Sequence, residues 1–465
     1  MSSTIKKNGT LDGGWRAQIR ALIRIATPLS LSQLSEMSMN VTDTVLLGGL
    51  GATALAVGGM STNIFFCTFI TFQAALGGAS VLIARARGEA HAEGCETRDL
   101  SALITSGFIL ALILCLPVLA ILLPASSLLH LFGEPPEIVH LGSRFLHILL
   151  WALLPDLAII GLLRIVLPAL GSEHLLLWTM PGMAVMNGIL NAALIHGWAG
   201  LPKLGLWGSA VATVITGWSI ALLLLVLARR QQNLQSHLRL TRMDRAAFWE
   251  MLRLGLPMMG STAAELLAFQ MTGLQAGSFG PISGAAHQVA LSVTSTAFMV
   301  SLALSQGANI RVAYWLGAGR PRDASRAATA SLGLVLAWTS FSALVLLLFA
   351  HRIATFYIDP SSPGGAEVVL LATSLLKIAG VFQIVDGVQV VCAGALRGCH
   401  DTFVPMVLMI ATYIPVAMGF GSWLAFHAGM GARGLWTGLA SGLTLAAALL
   451  ATRLFFTLRR QRRSA

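Results

Sequence analysis

The chain has 465 residues, 56% hydrophobic and 11% charged, with a mean hydropathy of +0.78. Soluble domains carry about a quarter charged residues, so this composition excludes a soluble globular enzyme and points to a polytopic membrane protein. The net charge of +11 raises the possibility of a nucleic-acid partner, which the placement of the charges removes.

Apolar runs long enough to cross a ~30 Å hydrocarbon core recur from end to end. They predict twelve transmembrane helices at 25–46, 57–83, 102–123, 139–163, 175–197, 205–228, 254–276, 286–314, 327–350, 366–392, 404–427 and 433–455. The fold class is therefore all-α. The N-terminal segment 1–24 is polar and basic and shows no small-residue cleavage site, so no removable signal peptide is expected. An even number of spans puts both termini on one side. Of the 30 Lys+Arg, all but Arg144, Lys203, Arg352, Lys377 and Arg433 fall on that side. That is the positive-inside bias, so both ends are expected in the cytoplasm and the basicity is topological.

In the first span Gln33, Glu36, Asn40 and Asp43 recur every three to four residues and form one polar stripe, which cannot face lipid. The fourth span carries Asp156 directly after Pro155, where a kink is expected. The fifth places Asn187 and Asn191 on one face, near Met180, Met183 and Met186. The seventh carries Ser261 and Glu265 beyond Pro257. The tenth interrupts an apolar run, FQIVDGVQVV, with Gln383, Asp386 and Gln389 on one face. A charge at the centre of a bilayer-length helix costs ~2.5–3.5 kcal/mol, which makes each intramembrane acid a functional candidate. His287 and Lys377 are read as structural. The five cysteines, Cys67, Cys95, Cys115, Cys392 and Cys399, are scattered, with neither CxxC nor Cys/His spacing, and read as small buried hydrophobes.

The longest polar connection, 229–252, lies near the middle and divides an N-lobe, 25–228, from a C-lobe, 253–455, with a basic tail at 456–465. Sliding the sequence on itself by 229 residues aligns 24–88 with 253–317. It pairs Pro28 with Pro257, Ser32 with Ser261, Glu36 with Glu265, Gly51 with Gly280, Gly78 with Gly307 and Gly88 with Gly317. The same offset pairs the GLW at 205–207 with that at 434–436. A shift of six spans preserves orientation, so the lobes are parallel repeats about an axis along the membrane normal, an architecture suited to alternating access.

The stretches PLSLSQLSEMSMNVTDTVLLGGLGATALA (28–56), MNGILNAALIHG (186–197), QGANIRVAYWLGAGR (306–320) and VDGVQVVCAGALRGCHDTFVP (385–405) resemble the multidrug and toxic compound extrusion (MATE) transporters, and within them the NorM-like bacterial branch. The resemblance implies a secondary antiporter of the bacterial inner membrane. Such a protein exports cationic or amphipathic drugs in exchange for Na⁺ or H⁺, acts as a monomer among membrane lipids, and needs no cofactor beyond the coupling ion. It implies that Asp43 is the N-lobe coupling acid, with Asn187 and Asn191 as its fifth-helix partners; the polar stripe itself adds Asn40 and Glu36 as further polar groups of the cleft. It implies that Glu265 and Asp386 couple the C-lobe, beside Gln383 and Gln389, and that Pro28, with its repeat mate Pro257, is a hinge. The departures are Asn191 where some members have aspartate, the additional carboxylate Glu36, and Phe382 where Na⁺-coupled members have tyrosine. Na⁺ would need several oxygen ligands, which Glu265, Asp386, Gln383 and backbone carbonyls could supply.

The alternative is a flippase for lipid-linked oligosaccharide. A diphosphate head group calls for buried cations, and Lys377 and Arg144 are the ones this reading places in the spans, against five acids. An intramembrane enzyme is disfavoured by the lack of GxSxG or HExxH motifs. A channel is disfavoured by the twofold repeat with discrete acid pairs.

Overall fold

A computed structural model describes residues 13–95, 99–131 and 135–463. Lys6, Lys7 and Arg98, which enter the charge asymmetry, and the first half of the 1–24 segment lie outside the described residues. Every regular element among those described is helical. The N-lobe contains α1 (Trp15–Gly48), α2 in two segments (Ala52–Ala74 and Gly77–Ala92), and α3 (Ser101–Leu122). It continues with α4, which runs Pro136–Leu153, passes through a π-helical stretch Leu154–Gly161 and ends as Leu162–Ala169. The lobe closes with α5 (His174–His196) and α6 (Leu206–Arg230). The C-lobe contains α7 (Arg245–Ser278), α8 (Pro281–Gly317), α9 (Pro321–Tyr357) and α10 (Gly365–Gly398). Then come α11 (Phe403–Thr412, π-helical Tyr413–Phe420, Gly421–Phe426) and α12 (Ala432–Arg463).

These twelve rods coincide with the twelve predicted spans and run beyond most of them. The α1 helix starts ten residues before 25, and α12 continues through the basic tail to Arg463. A helix satisfies its own backbone, so nothing ends it where hydrocarbon gives way to head groups. Ten stretches among the described residues are long and apolar enough to cross a membrane by composition alone. The two long helices outside that set are α1 and α7, the first helix of each lobe and the carriers of the Glu36 and Glu265 positions. Their polarity belongs to an interior face, because both are packed into the molecule along Leu22, Leu29, Ser32 and Gln33 and along Leu254, Pro257, Met258 and Ser261.

The repeat is visible atom by atom. Gly51 and Gly280, an offset of 229 apart, precede α2 and α8 with φ of +113° and +102°, a conformation open to glycine alone at little cost. A Cβ on Gly88 of α2 would overlap the carbonyl oxygen of Tyr314 on α8, and one on Gly317 of α8 would overlap that of Arg85 on α2. Arg85 and Tyr314 are themselves repeat mates, so the two helices cross symmetrically about the pseudo-twofold axis. Asn309 Nδ2 donates to Ser80 Oγ across 3.5 Å, and these residues are also mates. Small residues let the backbones meet there.

Further bonds lock the lobes together on the side of the termini. Arg311 Nη2 and Trp315 Nε1 donate to Gln18 Oε1 at 2.9 and 3.1 Å. The Tyr314 hydroxyl meets His91 Nδ1 at 2.9 Å. Arg85 Nη1 donates to His400 Nδ1 at 3.1 Å. Between the lobes, away from this closed end, lies a cleft of about 690 Å³ whose wall becomes exposed at Val41 and Val45, near the far end of α1. The molecule is closed where both termini lie and accessible from the opposite side.

Candidate functional site

Two sets of buried polar groups sit in the lobes, with the cleft between them. In the N-lobe, α1 turns the predicted stripe from one compartment to the other. Gln33, Glu36 and Asn40 line the interlobe cleft, while Glu36, Asn40 and Asp43 line a smaller cavity of about 110 Å³ inside the lobe. Asp43 is buried and accepts a short hydrogen bond from Asn191 Nδ2 on α5. The same nitrogen lies 3.3 Å from Ser209 Oγ, and Asn187 Nδ2 donates to Thr216 Oγ1 at 3.4 Å. The i, i+4 spacing of the two asparagines thus ties α5 to α6 and aims one amide at Asp43. Met180 and Met183 form an adaptable wall of the inner cavity.

Asp156 also lines that cavity, a placement the expected kink at Pro155 only hinted at. The α4 helix turns π-helical from Leu154, and the wider turn brings Asp156 and, eight residues on, Arg164 to the same chamber. Gly217 on α6 makes room for Asp156, since a Cβ there would overlap its carboxylate. Arg164 Nη1 pairs with Glu36 Oε2 at 2.7 Å. Arg164 lies one residue past the predicted span, which is why a count of interior cations restricted to Lys377 and Arg144 missed it. Arg311, inside the predicted span 286–314, Arg433 and Arg453, inside 433–455, and Arg397 in α10 complete the correction, and Arg164 and Arg397 both line the cleft.

In the C-lobe, Asp386, Gln383 and Gln389 are buried on one face of α10. Ser342 Oγ donates to Gln383 Oε1 at 3.3 Å. Glu265 on α7 is within electrostatic reach of Asp386 and of Arg397. The structure therefore brings together the two acids that the sequence pairs. It places them inside the lobe and not on the cleft wall, where they were expected to face solvent. Asn187, Asn191, Gln383 and Gln389 are likewise in lobe interiors; of the six predicted cleft groups, Glu36 and Asn40 line the cleft. Each lobe solvates its own polar core, and the cleft is walled mainly by α1, α2, α4, α7 and α8.

Tyr413 was not anticipated. It lies in the apolar run TYIPVAMGF, opens the π-helical stretch of α11, is fully buried and is within electrostatic reach of both Glu265 and Asp386. Its hydroxyl, Asp386 Oδ1, Gln383 Nε2 and Gln389 Oε1 are buried atoms without a hydrogen-bond partner among the described residues. That oxygen-rich set suits a small hard cation or a proton.

The remaining expectations concern structure. Pro28 and Pro257 lie within helices that run unbroken past them, and the irregular backbone falls instead at Pro155, at Pro415 and at the Ala75–Leu76 junction of α2. His287 Nδ1 accepts from Trp436 Nε1 at 3.2 Å, which gives it a structural partner. All five cysteines are free; Cys115, Cys392 and Cys399 are buried as expected, whereas Cys67 is half-buried and Cys95 is exposed just beyond the end of α2.

Two parallel-repeat lobes, an axial cleft and acids buried on both sides define a polytopic membrane transporter rather than an enzyme. The MatE family profile matches residues 28–192 and 257–423, one match per lobe, and the chain belongs to that family. It is 45% identical over 430 residues to a multidrug resistance protein NorM of Burkholderia vietnamiensis, covering 92% of each chain. It is 35% identical over 453 residues to a probable NorM of Rhizobium meliloti, covering 97% of this chain and 96% of that one. Among solved structures the fold is shared with the eukaryotic MATE transporter AtDTX14, with a TM-score of 0.83 and 21% identity over 97% of this chain and 100% of that one. An outward-facing multidrug resistance MATE transporter matches with a TM-score of 0.84 and 20% identity over 96% and 97%.

Proposed function

We propose that the chain is a multidrug efflux antiporter that exports cationic or amphipathic compounds in exchange for Na⁺ or H⁺ by alternating access. The observation that carries this reading is a buried acid in each lobe, Asp43 beside the half-buried Asp156 and Asp386 beside the half-buried Glu265, on either side of a cleft open at one end. A buried carboxylate needs a counter-charge. A proton, a sodium ion and a cationic drug can each supply it, and their mutual exclusion at one site turns uptake of one into release of another. Rocking of the lobes about the Gly88–Gly317 crossing would move that site from one face of the membrane to the other, with each ligand favouring one of the two states.

The bacterial relatives and the basic flank of both termini support placement in the inner membrane with both ends cytoplasmic, so the open end of the cleft faces outward. The chain works as a monomer in this reading, and lipid is its surroundings rather than its cargo. The flippase alternative gains Arg164 and Arg397 on the cleft wall. Arg164 is paired with Glu36, and Arg397 lies beside Glu265, so neither offers an unopposed charge to a diphosphate.

The test is accumulation of ethidium in cells stripped of their own pumps. Expression of the chain should lower accumulation, and Asp43→Asn should restore it. Unchanged ethidium levels alongside export of anionic lipid-linked sugar would contradict the reading.

A further inference from the structure

The pair formed by Glu36 and Arg164 lies at a boundary. Both residues line the interlobe cleft, and both line the inner N-lobe cavity. Their ion pair, at 2.7 Å, therefore forms part of the partition between the compartment open to solvent and the one holding Asp43 and Asp156. The pair is graded in exposure: the Glu36 side chain is 36% exposed and that of Arg164 11%. The carboxylate thus faces the route in, and the guanidinium sits behind it. Asp156 is within electrostatic reach of both. Around the inner cavity there are three acids and one base, and the base hangs from the stretch of α4 just beyond its π-helical segment.

We infer that Arg164 is a tethered cation which occupies the mouth of the N-lobe acid cavity when cargo does not, and that a cationic compound in the cleft engages the acids there by displacing it from Glu36. A free cation and the guanidinium compete for the same carboxylates, so the arginine sets a threshold on entrance. Glu36 receives the arriving charge, and Arg164 is released toward Asp156 without leaving the acid cluster. Breaking an ion pair by removing one partner leaves the other charge uncompensated. Here the arriving cation replaces the lost partner, and that makes the exchange selective for positive charge. Arg164 is a specificity-determining residue in this account; the coupling acids remain those already named.

This inference rests on the proposed cationic cargo, and its test separates the two. Purified full-length protein in nanodiscs is titrated with rhodamine 6G, a monovalent cation, and with a neutral fluorescent dye, both followed by polarisation. Arg164→Gln should bind the cation roughly tenfold more tightly than wild type, within the usual range of coupling between competing sites. Affinity for the neutral dye should stay the same. Arg164→Lys should remain near wild type, and Glu36→Gln should weaken cation binding. Melting temperature and neutral-dye binding report folding for every variant. Arg164→Gln with unchanged or weaker cation affinity, while wild type binds the cation, would overturn the tethered-cation role alone. Failure of wild type and all variants to bind the cation would overturn the cargo class and this role with it.

Discussion

Asp43 is held in a lobe interior by the amide of Asn191, itself held by Ser209. Asp43→Asn preserves shape and removes charge. It should leave membrane expression near wild type and reduce drug resistance to that of the empty vector, measured as growth inhibition by ethidium; resistance equal to wild type would reduce Asp43 to a packing role. Outside the membrane, His400 offers a readout in pH. Burial, and next the Arg85 guanidinium, hold its imidazole down at about 4, against ~6.5 unfolded. It is therefore neutral in the folded protein at pH 7, accepting from Arg85 at Nδ1. Its contribution is complete above pH 6.5 and is lost as pH falls toward 4, where the unfolded chain binds the proton and the folded one resists it. His400 sits at φ +61°, which asparagine tolerates. His400→Asn should lose less melting temperature than wild type between pH 7 and pH 5, and equal losses would contradict the assignment.

At the scale of elements, the α2–α8 crossing is the contact about which the proposed rocking of the lobes would turn. Gly88→Ala and Gly317→Ala each push a methyl group into a backbone carbonyl that cannot rotate away. Overpacking of this kind costs ~1–3 kcal/mol, so both should lower the melting temperature and slow dye efflux. Gly333→Ala, which meets open space in α9, should stabilise slightly, by up to ~1 kcal/mol. A crossing variant as stable and active as Gly333→Ala would remove the crossing from the mechanism. The existence of these elements was legible because apolar length alone identifies most spans, and repetition of Pro28, Glu36 and Gly51 as Pro257, Glu265 and Gly280 identifies the two polar ones. The π-helical stretches were not legible. They depend on how Pro155 and Pro415 pack against neighbouring helices, and no local pattern encodes that. Tyr413 and Arg164 were missed for related reasons. The first hides its hydroxyl in an apolar run, and the second meets Glu36 across 128 positions of sequence, a pairing only the tertiary fold creates.

The whole molecule is a pair of like lobes closed at the end where both termini lie. The orientation proposed from charge is checked by labelling: with native cysteines replaced, Lys203→Cys should react with an impermeant thiol reagent in intact cells and Ser236→Cys only after permeabilisation. The reverse order would invert the topology and turn the open cleft inward. Asp386, the one acid in FQIVDGVQVV, has its place in the proposed mechanism at this scale: it and Glu265 would give the C-lobe a site whose occupant changes as the lobes rock. The most direct measurement is dye efflux from proteoliposomes driven by an imposed Na⁺ or H⁺ gradient, comparing wild type with the Asp386→Asn/Glu265→Gln double variant. Wild type should move ethidium in proportion to one of the two gradients, and the double variant should still bind ethidium but no longer respond to either. Gradient-driven efflux by the double variant at the wild-type rate would contradict coupling through the C-lobe acids.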